Sequence, residues 1–136
     1  MHHFHCYSWT GQGDDQRREG ERRPTSPAWS GSPLPPMRTC DWLLKPLTRA
    51  AASPQRVEHA LSWLAERYQE VVPTFLYPDC EAEVGLDFRL TIARESLVGG
   101  VDVQWGFWLQ AGRFATAGVV CCSPNRHAAH PCPARR

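Results

Sequence analysis

The clearest pattern in the chain is a run of apolar residues at helical spacing. Between residues 53 and 73 these positions recur every three or four residues, which is typical of an amphipathic helix with one buried face. They are Val57, Ala60, Leu61, Leu64, Tyr68 and Val71. Ser53 suits the N-cap, Pro54 suits the first helical position, and Pro73 ends the pattern. The sequence therefore predicts one main helix.

Beyond residue 79 the period of the apolar positions changes to two, which indicates strands with one buried face. The first alternating run is Val84, Leu86, Phe88, Leu90 and Ile92. A second covers 101–109 after a turn at Gly99-Gly100, and a third runs from Phe114 to about Cys122. We therefore predict an α+β fold in which the main helix packs on a three-stranded antiparallel meander.

The pairing of the last two strands depends on the loop between them. A two-residue loop at Ala111-Gly112 places the large ring of Trp105 opposite Gly118 and turns Cys122 inward and Cys121 outward. A glycine bulge at the same loop shifts the register by one residue and reverses the facing of the third strand. The first register is our prediction and the second is its alternative.

The apolar pattern also divides the 136 residues into three parts. Residues 1–38 are rich in proline and polar side chains, and we predict a disordered extension there because such composition buries little apolar surface. Residues 39–122 form the predicted domain. Residues 123–136 are predicted to be an irregular tail, because three prolines interrupt them.

The net charge of the chain bears on which classes of partner it can bind. The chain has a formal net charge of +1, and most of its acidic residues lie in the predicted domain. A compact nucleic-acid-binding fold usually presents a clustered basic face, so we expect no nucleic-acid partner. No apolar run reaches the roughly 18 residues of a membrane span, and no secretory signal is visible. We expect a cytoplasmic protein with free thiols rather than a disulfide framework for its six cysteines.

One candidate for chemistry is a cluster of soft ligands at the end of the chain. It consists of Cys121, Cys122, His127, His130 and Cys132. Thiols and imidazoles are the ligands that zinc prefers, so this group predicts a zinc site, although its spacing matches no established motif. The competing interpretations are a buried Cys122 with an unstructured tail, and a disulfide between Cys122 and Cys132.

The beginning of the chain carries a second group of soft ligands, His2, His3, His5 and Cys6. Termini are seldom ordered, so we expect this group to be disordered and without a defined role. A thiol-dependent enzyme that uses Cys121 or Cys122 with His127 or His130 ranks third, because no residue is placed to orient the imidazole.

The remaining candidate is the sheet face that the main helix leaves open. Its predicted residues are Asp87, Arg89, Asp102, Gln104, Trp108 and Arg113. An aromatic anchor inside a polar rim is typical of a protein-interaction surface. Our leading hypothesis is a small non-enzymatic binding or regulatory protein that contacts a protein partner or a second copy of itself through Trp108. The alternative is that the segment around Trp42, or another protomer, covers this face as ordinary core.

Overall fold

The computed structural model describes residues 3–123 and 129–135. Three strands, β1 (His3–Gln12), β2 (Val103–Trp108) and β3 (Arg113–Ser123), lie in this part of the chain. It also contains three α-helices, α1 (Val57–Val71), α2 (Pro78–Val84) and α3 (Leu86–Val98). The α+β fold class is confirmed. None of the described helices combines the length and apolar character needed to cross a bilayer.

The sheet has the order β1-β3-β2, and all of its strands are antiparallel. β1 belongs to the segment that we predicted to be disordered, so that prediction is wrong for these residues. The physical reason is that the side chains of the first residues alternate between two buried faces, as the side chains of a strand do. Phe4 and Cys6 enter the core beneath the helices, while Tyr7 enters a second core on the opposite face.

The strand predicted over residues 84–92 is also wrong, because these residues belong to α2 and α3. Gly85 separates the two helices with a φ of 81°, a conformation that favours glycine. α3 packs on the core through positions spaced by three and four residues, which are Leu86, Leu90, Ala93 and Leu97. The remaining members of the alternating run, Val84, Phe88 and Ile92, are exposed.

The register between β2 and β3 is the one that we gave as the alternative, shifted by one residue, so the main prediction is wrong. Trp105 pairs with Ala117, not with Gly118, because a turn over Gln110–Gly112 adds one residue to the connection. Ala111 and Gly112 have φ values of 61° and 69° there. The shift turns one set of β3 side chains toward the helices, namely Ala115, Ala117, Val119 and Cys121.

The main helix is confirmed as α1, which begins later than predicted. It starts at Val57, so Ser53 and Pro54 are neither its N-cap nor its first residue. Instead, the segment before the helix runs beside β1, where the amide of Cys6 donates to the carbonyl of Ala52 and the amide of Phe4 to that of Pro54. This pairing brings Ser53 next to the first residues of the chain.

The sheet face away from the helices is covered by the chain itself. A 3-10 helix over Thr39–Leu44 lies on it, and Trp42 stacks on Tyr7 with ring centroids 4.7 Å apart and planes only 4° from parallel. Leu43 and Val120 are buried beside this pair. The Trp42 segment therefore covers much of the face that we expected to be open.

Residues 13–38 contain short 3-10 turns and no regular strand, yet they are anchored to the domain. Trp29 and Leu34 are buried, which a disordered extension would not provide. Lys45, only 1% exposed, donates to the carbonyl oxygens of Trp29 and Ser32, and its ammonium group lies 3.9 Å from the centre of the Trp29 ring. The expected disorder is wrong here because a buried cation and two apolar side chains fix the segment.

Candidate metal centre

Four side chains from the two ends of the chain meet on the sheet face away from the helices. They are His3, His5, Cys122 and Cys132, and their ligand atoms all lie within 4.8 Å of one another. Two imidazoles and two thiols form a donor set that suits zinc. The cluster lies beside the core built on Tyr7 and Trp42, because Cys122 belongs to that core as well.

Strand pairing explains three of the four positions. His3 and His5 are two residues apart on β1, so their side chains project from the same face of the sheet. His5 is the partner of Val120 on β3, and Cys122 lies two residues beyond Val120 on that same face. An irregularity in the pairing between His3 and Phe4 lets His3 reach the end of β3.

Cys132 completes the cluster from the tail. Its Sγ atom lies 3.4 Å from Nε2 of His3 and 3.7 Å from Nε2 of His5. Tetrahedral zinc with bonds of about 2.3 Å to sulfur and about 2.0–2.1 Å to nitrogen separates its ligand atoms by about 3.3–3.8 Å. The two separations between Cys132 and the histidines fall in that interval.

His5 is oriented within the cluster by a second contact. Its Nδ1 atom lies 2.8 Å from the hydroxyl oxygen of Ser53. In the tautomer in which Nδ1–H donates to Ser53, the lone pair of Nε2 is directed toward Cys132. Burial, together with the neighbouring imidazole of His3, lowers the pKa of His5 to about 4. A neutral imidazole is the form that binds metals.

The tail is fixed by a buried contact two residues before Cys132. Nε2 of His130 lies 2.8 Å from Oδ1 of Asp41, and both side chains are almost fully buried. The guanidinium of Arg38 reaches the same carboxylate oxygen at 3.2 Å. A second close cluster consists of Cys40, Asp41 and His130. The guanidinium of Arg38 lies beside it and already supplies a positive charge to balance the carboxylate. We therefore interpret this group as an anchor for the tail rather than as a metal site.

The predicted metal ligands are divided among several places. Cys122 and Cys132 come together, whereas His130 contacts Asp41. Cys121 faces the helix side of the sheet, where its thiol donates to the carbonyl oxygen of Val101 at 3.5 Å. Adjacent cysteines therefore face opposite sides as expected, but the inward and outward assignments are exchanged by the register shift. His127 lies outside the described residues.

His3 and His5 are the members of the cluster that were not expected to meet the tail. Both residues belong to the soft-ligand group that the sequence shows at the beginning of the chain. Because we expected that group to be disordered, we did not connect it with the cysteines of the tail. Cys6 of the same group lies in the helix-side core, and burial raises its pKa to about 12. It therefore takes no part in the cluster.

The predicted binding face does not form one surface. Asp87 and Arg89 lie on α3, and Arg89 donates to the carboxylate of Glu81 at 2.6 and 2.7 Å. Asp102 accepts a hydrogen bond of 2.8 Å from the amide of Cys121. Gln104, Trp108 and Arg113 are exposed residues of β2 and β3.

Trp108 itself remains 40% exposed at the end of β2. Its ring packs edge-on against Phe114 with centroids 5.0 Å apart, and it also lies against the backbone of Gly13. Part of this side chain is therefore used within the chain. Recognition of a partner through Trp108 stays a prediction.

Comparison of the chain with known protein families, with curated proteins and with solved structures finds no match. The chemistry of the site therefore follows from its residues and their geometry.

Proposed function

We propose that this protein binds one zinc ion through His3, His5, Cys122 and Cys132, and that the metal fastens the two ends of the chain to the sheet. The observation that carries the proposal is the approach of four soft ligand atoms to within 4.8 Å of one another. Chance clustering of exposed side chains is a poor alternative, because His5 and Cys122 are each only 2% exposed.

The donor set favours zinc over other ions. Magnesium and calcium prefer oxygen ligands, whereas thiolate with imidazole suits zinc and related soft or borderline metals. Four protein donors also fill all positions of a tetrahedral ion and leave no site for a substrate or an activated water. The proposed role is therefore structural rather than catalytic.

The position of the site in the chain gives the metal a large effect on folding. His3 and Cys132 are separated by 129 residues, so one ion closes almost the whole chain into a loop. Metal that binds only the folded chain contributes its binding free energy to stability. The ion stabilises the attachment of β1 and of the tail, because these are the segments that it connects.

The test is metal analysis of the full chain, purified without a histidine tag and under reducing conditions. We expect about one zinc per chain, and less than about 0.1 equivalents after incubation with zinc and desalting would contradict the proposal. Cobalt supplies a second readout, because its visible spectrum reports tetrahedral coordination and the presence of thiolate ligands.

Matched variants separate this site from general thiol binding. Cys122→Ser and Cys132→Ser are expected to lose stoichiometric zinc. Cys121→Ser changes the adjacent residue, which faces the opposite side of the sheet, and Cys80→Ser changes an exposed thiol on α2. Both of these controls are expected to keep the metal. Equal loss in Cys121→Ser and Cys122→Ser would contradict the assignment of ligands.

A further inference from the structure

We propose that the zinc site is redox-sensitive, so that peroxide closes Cys122 and Cys132 into a disulfide and releases the metal; this regulation rests on the proposed function. The two sulfur atoms belong to the same cluster, within 4.8 Å of each other. A disulfide needs an S–S distance of about 2.05 Å, so one sulfur must move by up to about 2.7 Å. Cys132 lies in the tail, whereas Cys122 lies on the central strand of the sheet.

Cys122 and Cys132 differ in exposure, and this difference decides which of them reacts with peroxide first. Cys132 is half-buried, whereas Cys122 is 2% exposed. Peroxide therefore meets Cys132 first. A partly accessible thiol next to a buried one is the arrangement of an attacking cysteine with a resolving cysteine.

The chemistry balances with hydrogen peroxide as the oxidant. The Cys132 thiolate attacks one peroxide oxygen, the O–O bond breaks, and a sulfenic acid and hydroxide form. The Cys122 thiolate then attacks the sulfenic sulfur, the S–S bond forms, and the second hydroxide leaves. Two thiolates lose two electrons in total, and one peroxide molecule is reduced to two hydroxide ions.

The other thiols near β3 are poor competitors for this reaction. Cys121 faces the helix-side core and donates to the carbonyl of Val101. Cys6 is fully buried in that same core, and burial raises its pKa to about 12, which leaves almost no reactive thiolate at neutral pH. The sheet itself therefore separates these two cysteines from the pair in the cluster.

Oxidation changes which segments are connected. The metal links β1, β3 and the tail, whereas the disulfide links only β3 and the tail. His3 and His5 are then the two donors that the site retains, and two donors hold zinc much more weakly than four. The expected consequence is release of the ion and weaker attachment of β1 at its first residues.

The experiment treats the zinc-loaded full chain with about one molar equivalent of hydrogen peroxide. A chromogenic chelator measures the released zinc, and tryptic mapping identifies the linked cysteines. Trypsin separates residues 114–126 from residues 127–135, so the proposed disulfide joins two distinct peptides. We expect release of most of the zinc together with this linked pair, and recovery of zinc binding after reduction with dithiothreitol.

The variant Cys121→Ser resolves the two cysteines in the first peptide. It is expected to give the same linked peptides and the same zinc release as the natural chain. Loss of the link in this variant would assign the disulfide to Cys121 and overturn the inference. Zinc that stays bound in chains whose two peptides have become linked would overturn it as well.

The two proposals fail in distinguishable ways. If the reduced chain takes up no zinc, the proposed function fails, and the release step fails with it. If the reduced chain binds zinc but peroxide produces no link between the two peptides, only the redox inference fails. Zinc uptake is measured before any oxidant is added, so the first result does not depend on the second.

Discussion

Nδ1 of His5 lies 2.8 Å from the hydroxyl oxygen of Ser53, and this contact orients the imidazole in the cluster. Ser53 reaches that position because the segment before α1 runs beside β1. A backbone pairing between two segments that are far apart in the sequence thereby fixes the orientation of a proposed metal ligand. Loss of a contact of this kind typically lowers metal affinity by about 10–100-fold.

The first prediction concerns this contact. Ser53→Ala removes the partner of Nδ1 and leaves all four ligands in place, so zinc affinity should fall by about tenfold. Competition with a chromogenic chelator measures the change. Ser62→Ala, on the exposed side of α1, is the matched control and should bind zinc as the natural chain does. Equal affinity in all three proteins would show that Ser53 does not support the site.

The second prediction concerns the anchor of the tail. Asp41→Asn replaces a buried carboxylate that accepts from His130 at 2.8 Å, and this should lower the free energy of unfolding by about 1.5–3 kcal/mol. Urea denaturation of the metal-free protein measures the loss. Asp14→Asn is the control, because Asp14 is exposed and its ion pair with Arg17 is long, at 3.7 Å. An equal effect of the two substitutions would contradict the role of the anchor.

The third prediction concerns the covered face of the sheet. Trp42→Ala removes a buried ring stacked on Tyr7, and large-to-small changes of this kind cost about 3–5 kcal/mol of unfolding free energy. Trp108→Ala should cost clearly less, because Trp108 is 40% exposed. Chemical denaturation of both variants provides the comparison. The reverse order would show that the Thr39–Leu44 segment does not cover the face.

The fourth prediction concerns pH. Burial, with a smaller contribution from Arg49, lowers the pKa of Lys45 from 10.5 to about 8, while Glu21 opposes the shift. At a pH between about 8 and 10.5, Lys45 carries its proton in the unfolded chain but not in the folded chain. Raising the pH through this interval therefore removes a destabilising contribution, so the free energy of unfolding rises from this group.

Lys45→Met isolates that contribution, because the variant keeps a side chain of similar length without the ammonium group. The measured quantity is the difference in unfolding free energy between the natural chain and the variant from pH 7.5 to 10. Other titrating groups are shared by both proteins and cancel. The difference should move in favour of the natural chain as the pH rises. A constant difference would contradict the lowered pKa.

Part of the fold could be predicted because its signals are local. The helical spacing in α1 continues for several turns, and the alternation in β2 is followed by a turn containing glycine. The run at residues 84–92 was misleading because a short alternating run also contains pairs four residues apart. Its continuation through Ala93 and Leu97 satisfies the helix and not the strand.

The candidate site could be predicted only in part, because it is assembled by strand pairing. The sequence shows soft ligands at both ends, but no local pattern indicates that β1 pairs with β3 over more than 100 residues. The register between His5 and Val120 decides which histidines and which of the two adjacent cysteines share a face. A shift of one residue would have placed Cys121 in the cluster instead of Cys122.

The contact between His3 and Cys132 has a consequence for the connectivity of the chain. Because Nε2 of His3 lies 3.4 Å from Sγ of Cys132, a linker could join the segments that carry these two residues across a short gap, and the chain could be opened instead at Gly20, which is exposed and where an added Cβ would have no heavy atom within 4 Å. Such a circular permutant would keep the described strand pairings of the sheet and would connect the segment of Cys132 covalently to β1.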